Sequence, residues 1–342
     1  MKQKVKNIIK FIFFTGLLVF FMYLAFRDKD LNDLMIKLSN TKYLYAIIGS
    51  FIGVFIGSYI RALRWQYLLY PIKKNINVHS LFSAVMIGYM MNAAIPRAGE
   101  LSRPLLIAKK EGISRGTAIG TILVERIIDM LTMLAVFGCC LFYFRDRISR
   151  AFGQYNIESV SLYTSVIILA FVGLAVLILF NIEKTEIIIE KITGKILPDK
   201  INTKIHYMFI SLVNGFLFIK YPKLYLKIFI TSILIWIAYV MSTYVTFFAF
   251  SELAAQKLNF FDANLVLTMA SFAMTIPLPG NSAGVFHLFV ITALVGFFQV
   301  DKQVASSFAI VNHLVGLVMM VIIGVYFYMK ENIKLNTLKE IK

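Results

Sequence analysis

The sequence predicts an all-α, polytopic integral membrane protein, and three observations lead there. Of 342 residues, 59% are hydrophobic and the mean hydropathy is +0.77, whereas a soluble domain is roughly 45–50% apolar. The apolar runs approach the roughly 20 residues of a membrane-crossing helix rather than the roughly 10 of an alternating barrel strand. The Lys and Arg residues behind the net charge of +17 sit mostly between those runs. That placement fits anionic headgroups and membrane topology, not nucleic acid.

The first apolar run, residues 8–26, follows Lys2, Lys4, Lys6 and Lys10. A Lys cluster this close to a span places the N-terminus in the cytoplasm. No A-x-A cleavage pattern follows the run, so it reads as a retained helix and not a signal peptide. A connection of mixed charge (Arg27 to Lys37) leads to a second span, residues 43–69. Gly49, Gly53 and Gly57 recur every fourth residue there and give one helix face room for close packing. Arg61, Arg64, Lys73 and Lys74 read as markers of its cytoplasmic end.

Residues 79–112 form an apolar run with a break in it. Met91-Asn92-Ala93-Ala94-Ile95-Pro96-Arg97-Ala98-Gly99-Glu100-Leu101-Ser102-Arg103-Pro104 cannot stay one lipid-facing helix. Pro96 interrupts the hydrogen-bond ladder, and each ionised side chain at the bilayer centre costs about 2.5–3.5 kcal/mol on insertion scales. Such backbone survives at membrane depth only inside protein or along a watery cavity. The expectation is a re-entrant hairpin that returns through a helix starting near Pro104, where Pro suits a first turn. An ordinary surface loop is the plainer alternative.

Spans follow at residues 116–144 and 162–180, then a polar connection at 181–223 whose Ile residues alternate with Lys and Glu. It reads as a cytoplasmic amphipathic helix on the membrane surface. Next come a span at 224–250, a second broken run at 263–298 interrupted by Pro277-Leu278-Pro279-Gly280-Asn281-Ser282-Ala283-Gly284, and a last span at 304–329. The tally is about six spans and two re-entrant hairpins with both termini cytoplasmic; Arg145, Arg147 and Arg150 fall outside and run against it. Span, broken hairpin, span recurs at residues 43–144 and 224–329. An odd number of crossings between the two units makes the repeat inverted, a transporter pattern.

The candidate substrate-binding residues are Arg97, Glu100, Arg103, Glu125, Arg126 and Asp129. Glu125 and Asp129, four apart, share a helix face, and Arg126 can pair with Asp129. Ionisable groups in mid-span are expensive unless they face one another or water. A lipid phosphate matches the guanidinium fork of Arg97 or Arg103. A buried charge network that only pins the hairpin, or arginines snorkelling to cytoplasmic water, are the structural alternatives. Asn92, Pro96 and Gly99 shape the first break; Pro277, Pro279, Gly280 and Gly284 shape the second.

Gly280-Asn281-Ser282-Ala283-Gly284 also matches G-x-S-x-G, but that motif needs a strand-to-helix elbow. A helical intramembrane serine hydrolase with His287 or His313 as base stays open, as does a polar site of Asn281, Ser282 and His287. A plain turn, where Gly permits positive φ, is favoured. Cys139 and Cys140 read as packing residues. No Walker A, metal-ligand cluster or dinucleotide fingerprint is present in the sequence. The expectation is no catalytic residue, no metal and no cofactor.

N-x3-P-R-x-G-E-x2-R from Asn92 to Arg103, followed by E-R-x2-D from Glu125 to Asp129, resembles the lysylphosphatidylglycerol synthase transmembrane-region family. Pro277 to Gly284 is similar to that family's second signature, with Asn281 where a second Gly is usual and His287 nearest the place of an acidic residue. The resemblance covers nearly the whole chain and implies one flippase-like transmembrane domain over residues 1–342. It implies movement of a phospholipid or polyprenyl-linked glycolipid between leaflets of a bacterial cytoplasmic (inner) membrane. The expectation is a membrane domain without the soluble aminoacyltransferase domain that is fused to some members of that family. Membrane lipids are the expected partners, with a homo-oligomer or a lipid-modifying enzyme as a further option and no nucleic acid. A non-transporting scaffold or accessory protein is the alternative function; the serine hydrolase is the second.

Overall fold

The computed structural model describes residues 15–27, 30–145, 147, 166, 170 and 215–331. The expected span at 162–180, apart from Val166 and Ala170, and the connection at 181–223, apart from residues 215–223, lie outside the described residues. So do the N-terminal Lys cluster, Arg150 and the Lys-rich tail.

The regular elements of the described residues are helical. Helix α1 (Thr15–Phe26) leads to α2 (Leu31–Ser39), which starts where the Asp30 carboxylate accepts from the backbone N–H of Asn32 at 2.8 Å. Helix α3 (Tyr43–Leu69) crosses the bundle and contains a wide π turn at Phe51–Ile56. Its glycine face meets α7 (Tyr225–Phe247). A Cβ on Gly49 would lie 2.6 Å from the Ser242 carbonyl oxygen, and one on Gly57 would lie 2.8 Å from the Tyr239 ring. Sequence numbers run in opposite directions along that seam, so α3 and α7 cross antiparallel. In a membrane, such contact replaces the hydrophobic drive that lipid cannot supply.

Helix α4 (Val78–Ala94) is capped by Asn77, whose side-chain oxygen accepts from the N–H of His79 at 2.8 Å. It stops because Ile95, preceding Pro96, is extended (φ −132°, ψ 119°). Arg97 then takes a left-handed conformation at φ 62°, and α5 (Ala98–Glu111) begins. The return helix therefore starts before Pro104, which lies inside it and not in its first turn. The left-handed Arg97 turns the chain early enough for Gly99 to dock. A Cβ on Gly99 would lie 2.0 Å from the Gly88 carbonyl oxygen. The N–H of Gly99 instead donates to Asn92 Oδ1 at 2.6 Å, so α4 and α5 touch backbone to backbone.

Helix α6 (Arg115–Tyr143) carries the acidic pair. Arg147 just beyond it pairs with Asp262 at 3.0 Å and stacks on Phe144 and Phe298. Two 3-10 turns (Leu217–Lys220 and Pro222–Leu224) precede α7. The short α8 (Ser251–Ala255) and α9 (Phe260–Met274) follow it, the latter opened by a reciprocal Asn259–Asp262 capping box. The second break runs through a tight turn at Pro279–Ser282, then α10 (Val285–Phe298) and α11 (Lys302–Lys330) follow.

Segments 43–69, 222–247, 279–298 and 302–330 are long and apolar enough to cross a membrane. Exposed Leu44, Leu226, Phe229, Val318 and Ile322 give α3, α7 and α11 apolar outer faces. Among the described residues the interior has three apolar clusters. One gathers Phe247, Val290, Leu294 and Phe308; a second gathers Trp65, Leu81, Met86 and Ile122 around the first broken pair; a small third joins Ala273, Leu278 and Val285 at the second break.

Candidate functional site

Four arginines and two carboxylates converge beside the first broken pair. Glu125, on α6, is fully buried (0% exposed) and accepts from both nitrogens of the Arg103 fork, Nη1 to Oε1 at 3.1 Å and Nη2 to Oε2 at 2.9 Å. Arg61 Nη1, from α3, reaches both acids, at 2.6 Å to Glu125 Oε1 and 2.6 Å to Asp129 Oδ2. Arg64, one turn on, pairs with Asp129 and donates from Nη1 to the Ser232 hydroxyl at 3.1 Å. Arg126 stands farther off, 3.7 Å from Glu125 and 3.6 Å from Asp129, with its side chain 40% exposed.

Local packing sets this geometry. Gly88 clears the way for Arg103: a Cβ there would lie 2.6 Å from Arg103 Cγ. Beneath the guanidinium lies the Trp65 ring, 4.5 Å from Cζ to the ring centroid. The Trp65 indole N–H in turn donates to the Thr121 hydroxyl at 3.0 Å. The Tyr239 hydroxyl lies 3.3 Å from Arg61 Nη2, carrying the network over to α7. Three arginines thus donate to the two carboxylates, and the fourth sits at the open side with Asp129, which is 23% exposed.

Of the six residues singled out in the sequence, Arg103, Glu125, Arg126 and Asp129 meet here. Arg97 and Glu100 do not. Arg97 is exposed and points its Nη2 at the Thr275 carbonyl oxygen, 3.5 Å away at the end of α9. Half-buried Glu100 has no ion pair among the described residues. Arg61 and Arg64 belong to the cluster, although their place near a span end reads as topology. Their i, i+3 spacing on an apolar helix, matching the i, i+4 acids of α6, is the signal that pairs them.

The second break holds polar groups of another kind. Gly280 (φ 64°), Asn281 (φ 56°) and Ser282 (φ 63°) are consecutive left-handed residues, and Gly284 stands at φ 85°. Ser282 donates to the Ile276 carbonyl at 2.6 Å, which closes the turn. His287 Nδ1 accepts from the Gly284 N–H at 3.1 Å. His313 Nε2 lies 2.9 Å from the Gly280 carbonyl oxygen, so it is the donor, and the His287 and His313 rings are 5.0 Å apart. A nucleophilic serine needs a base within hydrogen-bond reach; here Ser282 and both histidines bond to backbone instead.

Outside the bundle centre, Lys37 Nζ meets Glu252 at 2.6 Å, and that hydrogen bond holds Glu252 below and Lys37 above their ordinary values. Glu331, just past α11, is pushed up by burial, but hydrogen bonds from Lys110 (2.8 Å) and Ser83 (3.0 Å) outweigh that and hold it low.

One curated relative, a UPF0104 membrane protein of Methanocaldococcus jannaschii, is 26% identical over 136 residues, which is 39% of this chain and 38% of the relative's length. A family model described as the lysylphosphatidylglycerol synthase TM region matches residues 7–324. With so much of the chain matched, this multi-pass membrane protein belongs to the lysylphosphatidylglycerol synthase transmembrane-region family.

Proposed function

We propose that this protein moves a lipid, a phospholipid or a polyprenyl-linked glycolipid, between the leaflets of a cytoplasmic membrane, with no covalent chemistry. The observation that carries the reading is the buried cluster of Arg61, Arg64, Arg103 and Arg126 with Glu125 and Asp129, beside a broken helix pair. A headgroup crossing the bilayer needs polar partners at membrane depth, and ionisable groups there are by default a pathway. The cluster supplies donors, and Arg126 offers them at an open side.

The broken pairs support an inverted arrangement. Helices α4, α5, α9 and α10 have 17, 14, 15 and 14 residues, and the segment of α10 reaches a spanning length only when the kinked Pro279–Ser282 turn is counted with it. At about 1.5 Å per residue each is near 21–26 Å long, short of a hydrocarbon core of about 30 Å. Re-entrant hairpins entering from opposite faces accommodate such lengths, with α3 and α6 flanking one pair and α7 and α11 the other. In this arrangement both termini face the cytoplasm. The bonding of Ser282, His287 and His313 to backbone supports a structural turn and weighs against the hydrolase.

One observation favours the scaffold reading. Glu125 has no exposed surface, so most of the network is internal and pins α3, α5 and α6 together. Reconstitution separates the two functions. Purified protein in liposomes should speed leaflet exchange of a labelled phospholipid beyond protein-free vesicles, while a scaffold leaves the rate unchanged.

A further inference from the structure

We infer that the cluster takes a lipid ending in a phosphate monoester, a headgroup near two negative charges, in preference to a zwitterionic or positively charged one. The lipid part of this inference rests on the transport reading; the charge part stands on the cluster alone. Among the described residues, four guanidiniums meet two carboxylates. The cluster therefore keeps a net charge of +2 in a bundle whose surroundings are apolar.

The geometry identifies the surplus group. Glu125 is taken by Arg61 and Arg103, and Asp129 by Arg61 and Arg64. Arg126, at 3.6–3.7 Å, is beyond hydrogen-bond length from both acids and accessible on one side. Nor is the demand for acceptors confined to Arg126. The Nε atoms of Arg61, Arg64, Arg103 and Arg126 are buried without an acceptor among the described residues, and the first three arginines are themselves more than nine-tenths buried.

A network built only to pin helices has no use for the excess. Arg126 donates no hydrogen bond to it, and a net positive charge at this depth opposes insertion. A zwitterionic headgroup brings no net compensation, and a cationic one worsens the imbalance. A phosphodiester brings one negative charge. A phosphate monoester brings about 1.5–2 at pH 7 and three acceptor oxygens, and its geometry fits a free guanidinium fork. Of these, the terminal phosphate alone brings the site near neutrality.

The test uses the full chain in lipid nanodiscs. Binding of phosphatidic acid, phosphatidylglycerol, phosphatidylcholine, an aminoacylated cationic lipid and inorganic phosphate is measured by native mass spectrometry and titration. Phosphatidic acid should bind at least about tenfold more tightly than phosphatidylglycerol. The preference should shrink below about pH 6, as the monoester takes its second proton. Arg126→Gln should lose the preference at an unchanged melting temperature, and Arg126→Lys should keep part of it. Equal binding of phosphatidylcholine or of the cationic lipid, or a preference untouched by Arg126→Gln in folded protein, would overturn the inference. Inorganic phosphate bound as tightly as phosphatidic acid would overturn its lipid part. Leaflet exchange without headgroup preference defeats this inference and leaves transport standing; selective phosphatidic acid binding without exchange supports the site and defeats transport.

Discussion

Arg103 and Glu125 meet fork to fork, Nη1 to Oε1 at 3.1 Å and Nη2 to Oε2 at 2.9 Å, and neither has appreciable contact with solvent. This pair ties α5, the return arm of the first broken pair, to α6. Two parallel charge-assisted bonds fix both distance and orientation. Removing Glu125 leaves buried cations that water does not reach, whereas removing Arg103 leaves Glu125 still paired with Arg61.

Glu125→Gln should therefore destabilise the protein by about 3–5 kcal/mol, and Arg103→Gln, which removes the fork but leaves Glu125 its Arg61 partner, by about 1–3 kcal/mol. Glu125→Gln should be the worse of the two, because Arg61 loses a partner as well. Thermal unfolding in detergent and folded yield on size exclusion check this. Variants with wild-type melting temperatures would mean that the pair is hydrated.

That outcome differs from what the sequence suggests, and the reason is physical. Beside Pro96 and Gly99, Arg103 reads as a group lining a watery cavity, where water would solvate what its removal leaves. The sequence does not reveal Trp65 under the guanidinium or Gly88 making room for it. The helical elements, the breaks at Pro96 and Pro279 and the acidic pair on α6 were legible, because apolar period and helix breakers are local. Arg61 and Arg64 were not legible as cluster members, because their partners lie more than sixty positions away. The π turn at Phe51–Ile56 also falls within the glycine seam, upstream of these arginines, and a wider turn alters which face the following residues present.

The α3–α7 seam predicts a graded glycine series. Gly49→Ala drives a Cβ against the Ser242 backbone oxygen and should cost about 1–3 kcal/mol. Gly53→Ala meets mainly the Ser242 side chain, which has some freedom to move, and should cost less. Gly138→Ala, with nothing within 4 Å, should be neutral or slightly stabilising. Melting temperatures of the three, compared side by side, decide the order.

Ser282→Ala should remove one turn-closing hydrogen bond and cost about 0.5–1.5 kcal/mol. A serine-reactive phosphonate should leave the wild-type protein unlabelled on intact-mass analysis. A covalent adduct at Ser282 would revive the hydrolase.

The Lys37–Glu252 pair gives a pH dependence of known sign. Glu252 is held below its ordinary value by the Lys37 hydrogen bond, so its stabilising contribution is present above the unfolded carboxylate pKa and is lost as pH falls through the lower folded value. Lys37 is raised, so its contribution is lost only as pH rises through the higher folded value. Both side chains are partly exposed, so the effect is at most about 1 kcal/mol and is screened by salt. Melting curves of Glu252→Gln and wild type should converge in strong acid and differ near pH 7.

Leaflet exchange of a labelled anionic phospholipid, measured for wild type and Arg126→Gln in matched proteoliposomes, puts the cluster's role to the most direct test. Arg126 sits at the open side and holds no hydrogen bond in the network, so its loss should spare the fold and remove the headgroup contact. Wild-type protein should exchange lipid well above empty vesicles, and Arg126→Gln, at a wild-type melting temperature, should fall by about tenfold or more. Exchange at the empty-vesicle rate for the wild type, or equal rates for the two proteins, would contradict it.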